Sequence, residues 1–181
     1  MIMSKEELAK RLVETGAVRF GKFKLTSGKE SDYYVDIKQA YTDPAILRLI
    51  AKELATRMGE GGDCVAGMEL GAIPLVVALS LETGLPFLMV RKGERAHGTG
   101  KLIEGKVPVG GRVVIVEDVA TTGGSLVKTV ERLRAVGVTV ERALVVVDRQ
   151  EGGEEAAKKA SVVLVPVLTR DDLLRLAPGK T

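Results

Sequence analysis

Five short runs, Cys64 to Met68, Phe87 to Val90, Val113 to Val116, Val140 to Val147 and Val162 to Val167, are almost wholly apolar, and helical segments separate them. A strand with one wet face alternates polar and apolar residues, whereas these runs are apolar at nearly every position and must be covered on both faces. The pattern therefore predicts an α/β fold: a doubly wound, mostly parallel sheet with helices on either side. Ligands of such sheets bind at the carboxyl ends of the strands, so chemistry is expected there.

Helix signals fill the gaps. Asp43 as N-cap and Pro44 at the first helical position open a helix whose Ile46, Ile50 and Leu54 share one face. The apolar run from Ile73 to Leu81 reads as a buried helix, residues 124 to 136 as a helix closed by Gly137 at its C-cap, and residues 154 to 160 as another. Ahead of this alternation, Ser4 and Glu7 form a capping box for a helix carrying Leu8, Leu12 and Val13. Val18 to Ile37 then reads as short strands turning at Ser27-Gly28. At 181 residues with 45% hydrophobic content, the expectation is a single domain over 1–181, with residues 1–40 as a small N-terminal element.

Composition excludes several classes. No apolar run is long enough to span a membrane, and the lone Cys64 reads as a buried hydrophobe of a reducing cytoplasm, so a cytoplasmic protein is expected. Aromatics are 3% and tryptophan is missing, which argues against a base-stacking nucleic-acid platform. The net charge of +3 says little, but the cluster Arg91, Lys92 and Arg95 suits a polyanionic small molecule.

Residues 113–125, VVIVEDVATTGGS, carry most of the chemical information. Four apolar residues place Glu117 and Asp118 where the strand reaches its C-terminal edge, and small and hydroxyl residues lead straight into a helix. Backbone N–H groups of such a loop, backed by the helix dipole, form a cradle for a phosphate monoester. Adjacent carboxylates accept hydrogen bonds from vicinal hydroxyls such as those of a ribose. The plain alternative is an acid pair that caps the next segment beside a glycine turn. No G-x-x-x-x-G-K-[ST] accompanies the stretch, and no G-x-G-x-x-G follows the first strand, which weakens nucleotide triphosphatase and dehydrogenase readings.

This stretch resembles the phosphoribosyl diphosphate signature of the type I phosphoribosyltransferases. Three further segments resemble the orotate-using family: FKLTSGKESDYYVD at 23–36, its N-terminal hood; RKGERAHGTG at 91–100, its catalytic lid loop; and DRQE at 148–151, its D-R-x-E element. The resemblance implies transfer of the 5-phosphoribosyl group from phosphoribosyl diphosphate to N1 of orotate, giving orotidine 5'-monophosphate and diphosphate in de novo UMP synthesis. It also implies residues 1–40 as the hood, magnesium carried mainly by the donor, and a homodimer whose lid loops reach the neighbouring site. No nucleic acid or membrane partner is implied.

By the same resemblance, the donor is held by Glu117, Asp118, Val119, Ala120, Thr121, Thr122, Gly123, Gly124 and Ser125. A diphosphate loop at Leu70, Gly71 and Ala72 joins them, with Arg91, Lys92, Arg95 and His97 from the lid loop. Arg95, His97 and Asp118 are the implied catalytic residues; Thr121, Arg149 and Tyr33 would meet orotate. Positive side chains on one loop would neutralise charge that grows as diphosphate departs, and glycines at 93, 98, 100 and 105 would let the loop close over the reactants. Arg149 can chelate a carboxylate, or simply pair with Asp148 or Glu151. Tyr33, Tyr34 and Phe23 can wall the base or pack in the core.

The chain departs from the family at Thr26, where many relatives carry lysine, so Lys24 or Lys29 substitutes or the contact is dispensable. The loop Glu69-Leu70-Gly71-Ala72 also lacks a lysine that some relatives have. Arg95 stands where lysine is frequent, which keeps the charge and changes its shape. A ligand-sensing regulator and a purine or uracil phosphoribosyltransferase are the competing readings; no helix-turn-helix segment supports the first.

Overall fold

The computed structural model describes residues 5–24, 28, 30–93 and 101–178. Ser4, Thr26, Ser27, Lys29, Arg95, His97, Gly98 and Gly100 lie outside the described residues, and the expectations attached to them stay as stated.

Helix α1 (Lys5–Glu14) buries Leu8, Ala9 and Leu12. Strands β1 (Val18–Lys24) and β2 (Glu30–Val35) pair antiparallel, with a register shift between Phe20 and Phe23. Ile37 does not extend β2 as the sequence suggested; it opens helix α2 (Ile37–Tyr41), because the Asp36 side chain accepts a hydrogen bond from the Lys38 N–H and starts a turn. Helix α3 (Pro44–Met58) begins as expected, with the Asp43 carboxylate accepting from the Ala45 and Ile46 N–H groups.

The main sheet then builds from β3 (Cys64–Met68), α4 (Ile73–Thr83), β4 (Phe87–Val90), β5 (Ile103–Glu104), β6 (Arg112–Ala120), α5 (Gly124–Ala135), β7 (Thr139–Asp148), α6 (Gly153–Lys159), β8 (Val163–Thr169) and α7 (Arg170–Leu174). Its strand order is β5-β4-β3-β6-β7-β8, and only the short edge pair β4–β5 is antiparallel.

The reason for the apolar strands is visible in their alternation. Val65, Val114, Val116 and Leu144 face a core shared with α1, α3 and α4, whereas Cys64, Ala66, Ile115 and Ala143 face one shared with Leu126, Val130 and Leu133 of α5 and Ala157 of α6. Successive side chains of one strand thus feed two hydrophobic layers.

Two expectations need correction. Helix α4 is buried only along Leu75, Val76 and Leu79; Leu81 is 83% exposed, since a helix against one sheet face buries one stripe. The C-cap of α5 is Val136, and Gly137 follows it with φ of +83°, the left-handed position that ends the helix.

Strand order reverses between β3 and β6: the chain leaves β3 toward β4 on one side and leaves β6 toward β7 on the other. The loops after these two neighbours, Glu69 to Ala72 and Thr121 to Gly123, therefore flank one crevice. Helix α4 sits tight against β3 there, because Gly67 has room for no side chain: a Cβ would lie 2.6 Å from the Ala72 Cβ.

Candidate active site

The acid pair lies inside β6, two residues short of its C-terminal edge, since the strand continues to Ala120 and pairs with β7 as far as Ala120↔Asp148. The pleat therefore sends the two carboxylates to different partners. Glu117 is 6% exposed and its Oε1 accepts a hydrogen bond from Ser125 Oγ at 3.3 Å. Burial, and after it the negative charge of Asp118, pushes the Glu117 carboxyl up to about 8, against the opposing Ser125 hydrogen bond. Asp118 accepts from the Val119 N–H at 2.9 Å through Oδ1 and from Lys38 Nζ at 3.4 Å through Oδ2.

Beyond β6 the chain forms a cradle. Gly123 has φ of +81°, and a Cβ there would stand 2.6 Å from the Ala156 Cβ, so both the backbone turn and the packing against α6 require glycine. Helix α5 starts at the next residue with no side chain capping its first N–H groups. Glu117, Val119 and the run Ala120 to Leu126 line a cavity of about 100 Å³. A concave site with a helix N-terminus at its floor suits an anion. A larger cleft of about 880 Å³ runs beside α3 past Arg11, Arg48 and Lys52, and it shares no lining residue with the acid pair.

Gly71 closes the crevice from the β3 side. A Cβ on it would come within 2.2 Å of Asp118 Oδ2, so the Glu69–Ala72 loop lies directly over that carboxylate. Ala72 is buried, and Leu70 points outward at 72% exposure. The Glu69 carboxylate accepts from the Lys92 N–H at 2.9 Å, tying this loop to the chain leaving β4.

Arg149 follows β7 and is 4% exposed. Its Nη2 lies 2.8 Å from Glu151 Oε1 and 3.3 Å from Ser31 Oγ, its Nε donates to the same Glu151 oxygen, and its guanidinium carbon stacks 4.7 Å from the Tyr33 ring centroid. The Glu151 ion pair weighed from sequence thus forms. Tyr33 corrects the expectation of a wall facing the base: it is 3% exposed and belongs to the core, because β2 turns it inward beneath Arg149. Burial raises the Tyr33 phenol above its ordinary value, with the Arg149 charge opposing. Tyr34 instead packs with Phe23 at 5.7 Å and under Arg19 at 5.1 Å.

Of the basic cluster, Arg91 is engaged with Glu104 at 3.4 Å across β4 and β5, and the exposed Lys92 stands at the start of the loop. Arg132 of α5 donates to the carbonyl of Arg91 and, at 3.1 Å, to that of Lys92. Thr121 and Thr122 are exposed at the mouth of the cradle.

Sequence reasoning missed Lys38, Arg132 and Ser31. Nothing in DIK marks Lys38 as reaching across to β6, whereas Arg132 stands two helical turns beyond Ser125, a spacing that put it within reach of inference.

A switch-point crevice with a phosphate cradle after an acid-bearing strand is the architecture of a phosphoribosyl transferase domain, and residues 37–171 match the family of that description. The chain is 53% identical over 181 residues to "Orotate phosphoribosyltransferase" of Methanopyrus kandleri, covering 100% of this chain and 98% of that one. Its structure resembles the crystal structure of orotate phosphoribosyltransferase from Aeropyrum pernix, with TM-score 0.85, 39% identity and 93% and 96% of the two chains covered. It resembles Leishmania donovani UMP synthase equally, with TM-score 0.85 and 37% identity over 97% of this chain, but spans 38% of that longer protein. The chain belongs to the orotate phosphoribosyltransferase family.

Proposed function

We propose that this chain transfers the 5-phosphoribosyl group of phosphoribosyl diphosphate to N1 of orotate, releasing diphosphate and forming orotidine 5'-monophosphate for pyrimidine synthesis. The observation that carries the reading is the cradle from Ala120 to Ser125 beside Glu117 and Asp118, at the crevice between β3 and β6.

In this reading, main-chain N–H groups of Thr121 to Ser125 receive the 5-phosphate. The acid pair receives the ribose hydroxyls, with Asp118 on the side of the Glu69–Ala72 loop and Glu117 anchored by Ser125. Diphosphate lies against that loop and the chain from Arg91 onward, where Arg95 and His97 meet the departing oxygens. The protein acts by positioning and neutralising, so no covalent nucleophile is needed, and orotate attacks C1 from the face opposite the leaving group. Arg149 and Thr121 orient orotate, with Tyr33 acting from beneath the guanidinium. The remaining donors of Arg149 suit a carboxylate, which would separate orotate from uracil.

Among the described residues, no three His, Cys, Asp or Glu side chains gather into a metal site. Magnesium would be carried on the oxygens of phosphoribosyl diphosphate, and Asp118, whose carboxylate lies under the Glu69–Ala72 loop, would reach it through water. When bound, that ion neutralises the leaving diphosphate.

Residues 1–40 serve as the hood. A homodimer is what the family resemblance implies, the assembly in which each lid loop would reach the neighbouring site. No helix among the described residues is long and apolar enough to cross a membrane, and a free buried Cys64, its thiol pushed up to about 11 by burial, suits the cytoplasm.

Incubation of the protein with magnesium, phosphoribosyl diphosphate and a panel of bases tests the reading. Product with orotate alone is expected; product with uracil or a purine, or none with any base, would overturn it. Mixing Arg95 and Asp118 variants tests the shared site, since recovered activity in the mixed dimer requires loops that reach the neighbour.

A further inference from the structure

The Glu69–Ala72 loop carries one acid and no cation, and among the described residues the side chain that brings positive charge to its underside is Lys38. Lys38 belongs to α2, a short helix of the N-terminal region, 80 residues away in sequence from the carboxylate it reaches. Its Nζ stands 3.1 Å from Asp36 Oδ1 and 3.4 Å from Asp118 Oδ2. That second oxygen is the one against which Gly71 is packed, so the ammonium and the loop backbone converge on one point.

We propose that Lys38 binds the diphosphate of the phosphoribosyl donor, supplying from α2 the positive charge that the Glu69–Ala72 loop does not carry. This inference rests on the orotate phosphoribosyltransferase reading and adds a donor-binding residue to it.

The chemistry follows from the donor count. An ammonium has three N–H bonds, and Lys38 has two carboxylate partners, which leaves one for a ligand. Its side chain is 50% exposed, which leaves room for a third partner to approach. Burial lowers the Lys38 pKa, but the charges of Asp118 and Asp36 outweigh it and hold the group above its ordinary value, so the cation persists throughout the neutral range. When ribose hydroxyls donate to Asp118, they compete for the oxygen that Lys38 uses, and the ammonium is released toward the phosphate oxygens over Gly71. Arg91 approaches from β4 instead, with its guanidinium directed to Glu104 on β5.

The test uses the full-length protein and three variants, Lys38→Met, Lys38→Arg and Lys38→Gln. Steady-state kinetics give KM for each substrate, calorimetry gives Kd for inorganic diphosphate with magnesium, and thermal melting reports folding. In Lys38→Met, KM for phosphoribosyl diphosphate and Kd for diphosphate are expected to rise about ten-fold, as for loss of one charge-assisted contact, while KM for orotate stays within about two-fold. Lys38→Arg should recover most of the donor affinity.

Donor KM and diphosphate Kd unchanged in Lys38→Met would overturn the proposal. So would a loss of Tm with both KM values rising together and no rescue by arginine, the signature of a structural tether. Lys38→Gln, which removes the charge and keeps hydrogen-bonding capacity, is read the same way should Lys38→Met not fold. If the wild-type protein makes no product from orotate, the broader reading fails, and the diphosphate Kd still decides the role of Lys38.

Discussion

Arg149 lies across the face of Tyr33 with its guanidinium carbon 4.7 Å from the ring centroid, while the Tyr33 hydroxyl is buried and finds no hydrogen-bond partner among the described residues. The ring therefore contributes packing and a cation–π surface that holds the guanidinium flat. The hydroxyl contributes only a desolvation cost, about 1 to 3 kcal/mol where such a group is left unpaired.

Tyr33→Phe should consequently melt at the same temperature as the parent protein or higher, with KM for orotate within about two-fold. Tyr33→Ala should cost about 3 to 5 kcal/mol of stability by opening a cavity, and should raise orotate KM by freeing Arg149. Calorimetric melting with steady-state kinetics separates the two effects, and a large loss of stability in Tyr33→Phe would show that the hydroxyl has a partner.

Glu117 makes stability depend on pH. Its folded pKa of about 8 exceeds the ordinary 4.5, so between these values the folded protein keeps a proton that the unfolded chain has released. The stabilisation is complete below the ordinary value and is lost as pH rises through about 8. Glu117→Gln removes this dependence. Between pH 6 and 9 the parent should lose about 5 °C of Tm more than the variant, and equal slopes would show that Glu117 is not held protonated.

Two glycines on neighbouring segments separate function from stability. Gly71→Ala drives a Cβ into Asp118 Oδ2, a side-chain atom at the edge of the crevice, so the carboxylate must move. The expected result is at least a ten-fold fall in kcat/KM with a change in Tm of about 2 °C or less. Gly67→Ala drives a Cβ into Ala72 and Val76, lifting α4 from β3, and should cost about 1 to 3 kcal/mol through overpacking. Melting and kinetics on both variants check the contrast; similar behaviour of the two would refute it.

Much of this architecture was legible because it is written locally. The ranges Cys64–Met68 and Phe87–Val90 follow from apolar runs alone, and the start of α3 follows from Asp43 and Pro44. The cradle was legible because its glycines and hydroxyls are contiguous, and Gly123 takes the positive φ of the tight turn that leads into α5. The short α2 and α7 escaped because five residues carry too little periodicity to register. Which of the two tyrosines turns inward escaped because pairing with β1, not the YY dipeptide, decides which ring faces the core. Lys38 escaped for a related reason: its meeting with Asp118 joins two elements 80 residues apart, and no local pattern encodes that distance.

Arg132 offers a last prediction, because it grips the chain at the place where β4 gives way to the loop that carries the proposed leaving-group contacts. One nitrogen donates to the Arg91 carbonyl and another, at 3.1 Å, to that of Lys92, so the fork of a single guanidinium sets two consecutive peptide planes. Arg91 adds a second brace through Glu104 on β5. Because α5 begins at the phosphate cradle, the grip also couples the position of Lys92 to the site that holds the sugar phosphate. Arg132→Ala leaves both carbonyls to water, which satisfies them without fixing their direction. Arg132 is partly exposed and outside both hydrophobic cores, so Tm should fall by only about 2 to 4 °C. Turnover should fall about ten-fold, since misplaced charges act where the leaving group develops its own. Arg132→Lys, with one ammonium in place of a fork, should recover part of the Tm and little of the turnover. If the alanine variant kept full kcat, the chain beyond β4 would be positioned by something other than α5.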